Sequence, residues 1–91
     1  MSPFPRPDYL FRIDGFPRFT VEAKPVHVDI LRDKDAIFQA KTYAWSAQIP
    51  FAILTNFERF RLFDTTIKPE HGRPGEGVVP DFDLRFEDYQ E

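Results

Sequence analysis

The sequence predicts an α/β (α+β) domain built on a mixed sheet, with elements in the order β-β-α-β-β. Three observations carry this expectation. Two runs near the N-terminus, Tyr9 to Ile13 and Arg18 to Lys24, alternate in polarity and are rich in β-branched and aromatic residues. The stretch from Asp33 to about Gln48 changes to an Ala-rich helical pattern. Two further strand-like runs, FAILT and ERFRLFD, lie either side of Asn56.

Taken in order, Met1 to Pro7 holds three prolines and reads as an extended lead-in. Asp14 and Gly15 supply turn chemistry between the first two strands, and Pro25 ends the second. Asp33 or Asp35 caps the helix. Ile37, Ala40, Ala44 and Ala47 form a small apolar stripe on it, which lets the helix lie close on a sheet. After Pro50, the continuous apolar run FAILT suggests a strand buried on both faces, and Asn56 marks a turn. Trp45 and the phenylalanines read as core. Arg59 and Arg61 alternate with Phe60 and Leu62, which fits a solvated strand face, with phosphate contact as the second reading. Core residues 7–64 give way to a loop and C-terminal extension over 65–91, rich in Pro and Gly, where FEDYQE is the possible start of a helix. No internal repeat is present.

Composition narrows the classes. A chain of 91 residues forms one small domain, and 42% hydrophobic residues, with Phe at 11 positions, supply a core. There are no cysteines, so disulfide frameworks and thiolate zinc sites are excluded; a reducing cytoplasm fits. His27 and His71 are too few and too isolated for a histidine metal site. No run approaches the roughly 18 apolar residues of a membrane span. A net charge of −3 argues mildly against a self-sufficient DNA-binding module, although a metal-dependent nuclease core must itself be acidic.

The informative charges are Asp8, Glu22 and Lys24, at the end of the hairpin away from its turn. With a two-residue Asp14-Gly15 loop, Asp8 falls opposite Val21, and Asp8 and Glu22 lie on opposite faces. With a three-residue loop of Asp14, Gly15 and Phe16, Phe11 meets Phe19, Tyr9 meets Val21, and Asp8 meets Glu22 across the other face. The second register gathers the apolar residues on one side and is the expected one. Opposed side chains then start from Cβ atoms about 5 Å apart, close enough for two carboxylates to share a divalent cation. Lys24, two residues beyond Glu22, projects from the same face.

Pro7-Asp8 followed by Glu22-Ala23-Lys24 resembles the motif of the PD-(D/E)xK nuclease superfamily, and Gln39 and Tyr43 resemble the Q-x-x-x-Y helix motif of its RecB-like branch. The run from Pro7 to Asp64 is similar to the N-terminal nuclease region of combined restriction-modification enzymes (type IIG-like) and of type I restriction R subunits. The resemblance implies a restriction-endonuclease-like core that cleaves DNA phosphodiesters with Mg²⁺, for which Mn²⁺ can substitute. It assigns Asp8, Glu22 and the Ala23 backbone carbonyl to the metal, Lys24 to the attacking water, and Gln39 and Tyr43 to support of the site or to the DNA backbone. It further implies double-stranded DNA as substrate and a methyltransferase or specificity region in the same or a partner chain. The family's usual helix before the first strand has no counterpart in the Pro-rich lead-in, so the expectation is a partial nuclease domain whose uncovered sheet face a homodimer would bury. Two other readings stay open: a repair or recombination nuclease of the same fold, and a catalytically silent remnant serving as an interaction module.

Overall fold

The computed structural model describes residues 7–79 and 84–85; the expectations for the lead-in, the missing first helix and FEDYQE lie outside them. The elements are β1 (Tyr9–Ile13), β2 (Phe16–Ala23), α1 (Lys34–Ser46), β3 (Phe51–Thr55), β4 (Arg59–Asp64) and a short β5 (Leu84–Arg85). They build one mixed sheet, ordered β1-β2-β3-β4-β5. Only β2 and β3 run parallel. Parallel neighbours need a long crossover, and α1 is that crossover, packed over β2 and β3.

The hairpin combines both turns weighed from the sequence. Its tip is a two-residue turn, with Asp14 and Gly15 both at positive φ (54° and 82°) and Ile13 opposite Phe16. A bulge then inserts Arg18 between Pro17, which faces Arg12, and Phe19, which faces Phe11. Pro17 has no N–H to give the ladder, so a break in pairing beside it costs little. The odd-length loop was therefore the wrong device for the right register: beyond the bulge, Phe11 pairs with Phe19 and Tyr9 with Val21.

Asp33 caps α1 by accepting the Ala36 N–H at 3.0 Å, whereas Asp35 bonds His71. The helix ends where Gln48 turns to φ 60° and the Ile49 N–H bonds back to Ala44 at 2.8 Å. Ile37, Ala40 and Ala44 are buried, and the exposed Ala47 lies beyond the stripe at the C-cap. One core cluster joins Ile30, Ile37, Ala40, Leu54 and Phe63; a second joins Ala44, Ile49 and Ala52, with Leu10 and Tyr43 against it.

Burial differs from expectation in four places, in the first two because the helix covers a single face of the sheet. Ala52 and Leu54 point into the core, but Phe51 on the opposite face is 41% exposed, so β3 is not buried on both sides. The apolar hairpin face of Tyr9, Phe11 and Ile13 is likewise open, and Leu10 is the residue that reaches the core. Trp45 is also partly exposed, at the outer side of α1. Conversely, Arg61 is not solvated. It points to the helix side, 8% exposed, over the Phe63 ring, and donates to the Ile30 carbonyl at 3.2 Å.

The segment after β4 doubles back: the Asp64 N–H bonds Gly77, the Val79 N–H bonds Leu62, and Val78 bridges to Phe63. Buried Lys41 ties it to the helix by donating to the carbonyl of Glu76 at 3.0 Å and, at longer range, to those of Arg73 and Pro74.

Asn56 fixes the chain beyond the end of β2. It is 6% exposed, donates to Val28 O at 2.8 Å, and accepts the Glu58 and Arg59 N–H groups at 3.1 and 3.0 Å. Removing such a partner leaves buried backbone groups unsatisfied. Asn56→Ala is expected to lower unfolding stability by about 2–3 kcal/mol in urea titration, with faster amide exchange around Val28 and Arg59. A loss below about 0.5 kcal/mol, the range of neutral surface changes, would contradict this account of the turn.

Candidate functional site

The charges converge where β2 leaves the sheet. Asp8, just before β1, reaches across the hairpin, and its Oδ2 accepts the Ala23 N–H at 2.7 Å. In return the Glu22 carboxylate accepts a hydrogen bond from the Asp8 backbone and feels the Asp8 charge. The two carboxylates are therefore neighbours on the helix-facing side, as the shifted register requires. Lys24 continues the parallel ladder by donating its N–H to Thr55 O at 2.8 Å. Its Nζ lies 3.4 Å from Glu22 Oε1 and donates to Gln39 Oε1 at 3.1 Å.

The structure thus brings together Asp8, Glu22, Lys24 and Gln39, and does not bring Tyr43 into direct play. One turn along α1 from Gln39, Tyr43 packs against Ala44, Ile49 and Ala52. Sequence reasoning missed the Ala23 N–H that anchors Asp8, since a backbone donor leaves no mark on residue identity. It also missed Asn56, whose turn-like context hid a buried tether for the segment after Lys24.

Glu22 is the strained member. Burial raises its pKa above the ordinary 4.5, Lys24 works against that rise, and the Asp8 charge adds to it. Among the described residues no group of three or more His, Cys, Asp and Glu gathers to hold a metal ion. The donors that are present, two adjacent carboxylates of which one is buried and short of compensating charge, fit a hard divalent cation that keeps several of its waters. No described helix is long and apolar enough to cross a membrane.

The sequence model of the family described as "Type I restriction enzyme R protein N terminus (HSDR_N)" matches residues 3–71. The chain is also 34% identical over 59 residues to the "Type II restriction enzyme and methyltransferase RM.Eco57I" of Escherichia coli. That alignment covers 65% of this chain and 6% of the relative, so the chain spans only a small part of that protein's length. No solved structure matches the chain.

The Glu22 shift gives a signed expectation. With its native pKa above the unfolded one, Glu22 favours folding most while protonated, and that contribution is lost as pH rises through the raised native value. Glu22→Gln, a neutral isostere, is therefore expected to melt above the wild type at neutral pH, with the difference vanishing below pH 4.5. Thermal melts across pH check this, and a Glu22→Gln protein less stable than wild type at neutral pH would show that the Lys24 pair outweighs burial.

Proposed function

The chain belongs to the type I restriction enzyme R protein N-terminus family, and on that premise we propose that it forms the core of a metal-dependent DNA endonuclease of restriction type. The observation that carries the reading is the convergence of Asp8, Glu22 and Lys24 at the end of β2, with Gln39 holding the lysine from the helix.

In this reading Asp8 and Glu22 hold Mg²⁺, or Mn²⁺ in its place, with the Ala23 carbonyl as a further ligand. When bound, the cation would polarise the scissile phosphate and lower the pKa of a coordinated water. The protein's own groups do the rest. The Ala23 N–H fixes one oxygen of Asp8, which orients the carboxylate without consuming its charge. Lys24 carries three donors; Glu22 and Gln39 engage two, and the third is available to a water or to a phosphate oxygen. Gln39 and Glu22 hold the flexible lysine between them, so that the ammonium stays fixed beside the carboxylates. The charge that develops on the phosphate then meets a fixed cationic group rather than one that must reorganise.

The substrate in this proposal is double-stranded DNA, acted on in the cytoplasm together with a methyltransferase or specificity region in the same or a partner chain. The printed name of the Escherichia coli relative, which joins restriction enzyme and methyltransferase, supports that association. Tyr43, seated in the core, supports the helix that carries Gln39 instead of touching the DNA backbone.

Plasmid nicking with Mg²⁺ or Mn²⁺ tests the reading. Lys24→Ala is expected to lower the rate at least 100-fold, the scale of a lost group that stabilises transition-state charge, at a temperature where circular dichroism shows the variant folded. Gln39→Ala is expected to lower it less, because it acts only through Lys24. Nicking unaffected by Lys24→Ala would remove the catalytic assignment, and a well-folded wild type without metal-dependent nicking would favour a silent interaction module.

A further inference from the structure

Among the described residues, the helix side of the sheet is filled and the opposite side is bare. Strand alternation and the β1–β2 bulge send Tyr9, Phe11, Phe19, Val21, Phe51 and Ile53 to the bare side, across three neighbouring strands. Charge lies only at its borders, where Asp64 on β4 stands opposite Phe51 and the Arg18 guanidinium lies 5.7 Å from the Phe16 ring centre. Phe11 and Phe19 stack with ring centres 4.8 Å apart and planes 14° from parallel, and Tyr9 leans on Phe11 at 6.4 Å. The aromatic surface is therefore already ordered, so a partner meets little conformational cost on docking.

Exposure is high for a face of this kind: Tyr9 59%, Phe11 46%, Ile13 54%, Phe16 64% and Phe51 41%. At about 200 Å² for a large side chain, these fractions leave about 500 Å² of open apolar surface, at the upper end of what monomers tolerate. We propose that this face is covered by the same face of a second copy, giving a two-fold symmetric dimer in which two sheets stack.

Area and chemistry together select this occupant. Two such faces bury about 1,000 Å², which reaches the size of a specific interface. A patch that is apolar across its centre is matched by an equally apolar partner, and a two-fold axis supplies one by construction. Stacked sheets place their inner side chains about 10 Å apart, the spacing at which two aromatic layers interdigitate. The inference is independent of the chemistry at Asp8, Glu22 and Lys24, which lie on the helix side.

Sedimentation velocity over a dilution series of the full chain tests it. The wild type is expected to have the mass of two chains at high concentration and to dissociate on dilution. Phe51→Lys, on a central strand, is expected to weaken the dimer at least tenfold while retaining its helical circular dichroism. Tyr9→Lys, at the margin of the patch, provides the same reading should Phe51→Lys fold poorly. Phe57→Lys, an aromatic 60% exposed in the β3–β4 turn, is expected to behave as wild type. A wild type that stays monomeric would overturn the proposal, whether its face is bare or covered by its own termini. A dimer indifferent to both Phe51→Lys and Tyr9→Lys would also overturn it, placing the contact elsewhere, for example on the free edge of β1.

Discussion

The register of β1 on β2 is the constraint from which the rest of this fold follows. A two-residue turn alone would set Asp8 and Glu22 on opposite faces and point Leu10 away from the helix. The extra residue at Arg18 shifts the pairing by one, and every side chain of β1 before it changes face. Leu10 then joins the Ala44, Ile49 and Ala52 cluster, the aromatic side chains line the opposite surface, and Asp8 reaches the Ala23 N–H. The site and the open face are two results of one inserted residue.

That register also explains why a site at this place works against stability. Thr20 and Glu22 share the face of β2 that α1 covers, so Glu22 is 9% exposed and its charge is penalised by burial. Lys24 and the Asp8 backbone offset part of the penalty, and the Asp8 charge adds to it. A residue chosen for packing alone at this position would be apolar. A buried carboxylate held beside a second one is the arrangement that a bound cation relieves, and in the proposed function this imbalance is what drives cation uptake.

Much of this was legible in the sequence, because the determining patterns are local. Alternation marked the strands, Asp33 marked the start of the helix, and Ile37, Ala40 and Ala44 marked its inner face. The hairpin register followed from pairing Phe11 with Phe19. The bulge did not, because Pro17 and Arg18 make it only in the context of the partner strand. The burial of β3 also escaped the sequence: its continuous apolar run FAILT predicts a strand covered on both faces, but a single helix covers only one and leaves Phe51 open. Arg61 reads as a surface residue by type, but the Ile30 carbonyl and the Phe63 ring receive it inside. Lys41 is similar, since the three carbonyls that accept it come from a segment more than thirty positions away. In the candidate site, the hairpin register placed Asp8, Glu22 and Lys24 on one face and the family resemblance added Gln39 and Tyr43, but Tyr43 packs against the second core cluster.

The central claim is that two carboxylates brought together by a bulged hairpin form a divalent-cation site. Paramagnetic broadening of amide signals by substoichiometric Mn²⁺ tests it most directly, since it locates the ion without requiring turnover. The account predicts that broadening begins at Asp8, Glu22, Ala23 and Lys24, reaches the Gln39 turn of α1 next, and disappears in the presence of excess Mg²⁺. Broadening centred on Asp29, Asp35 or Asp64, or spread evenly over the acidic surface, would contradict it.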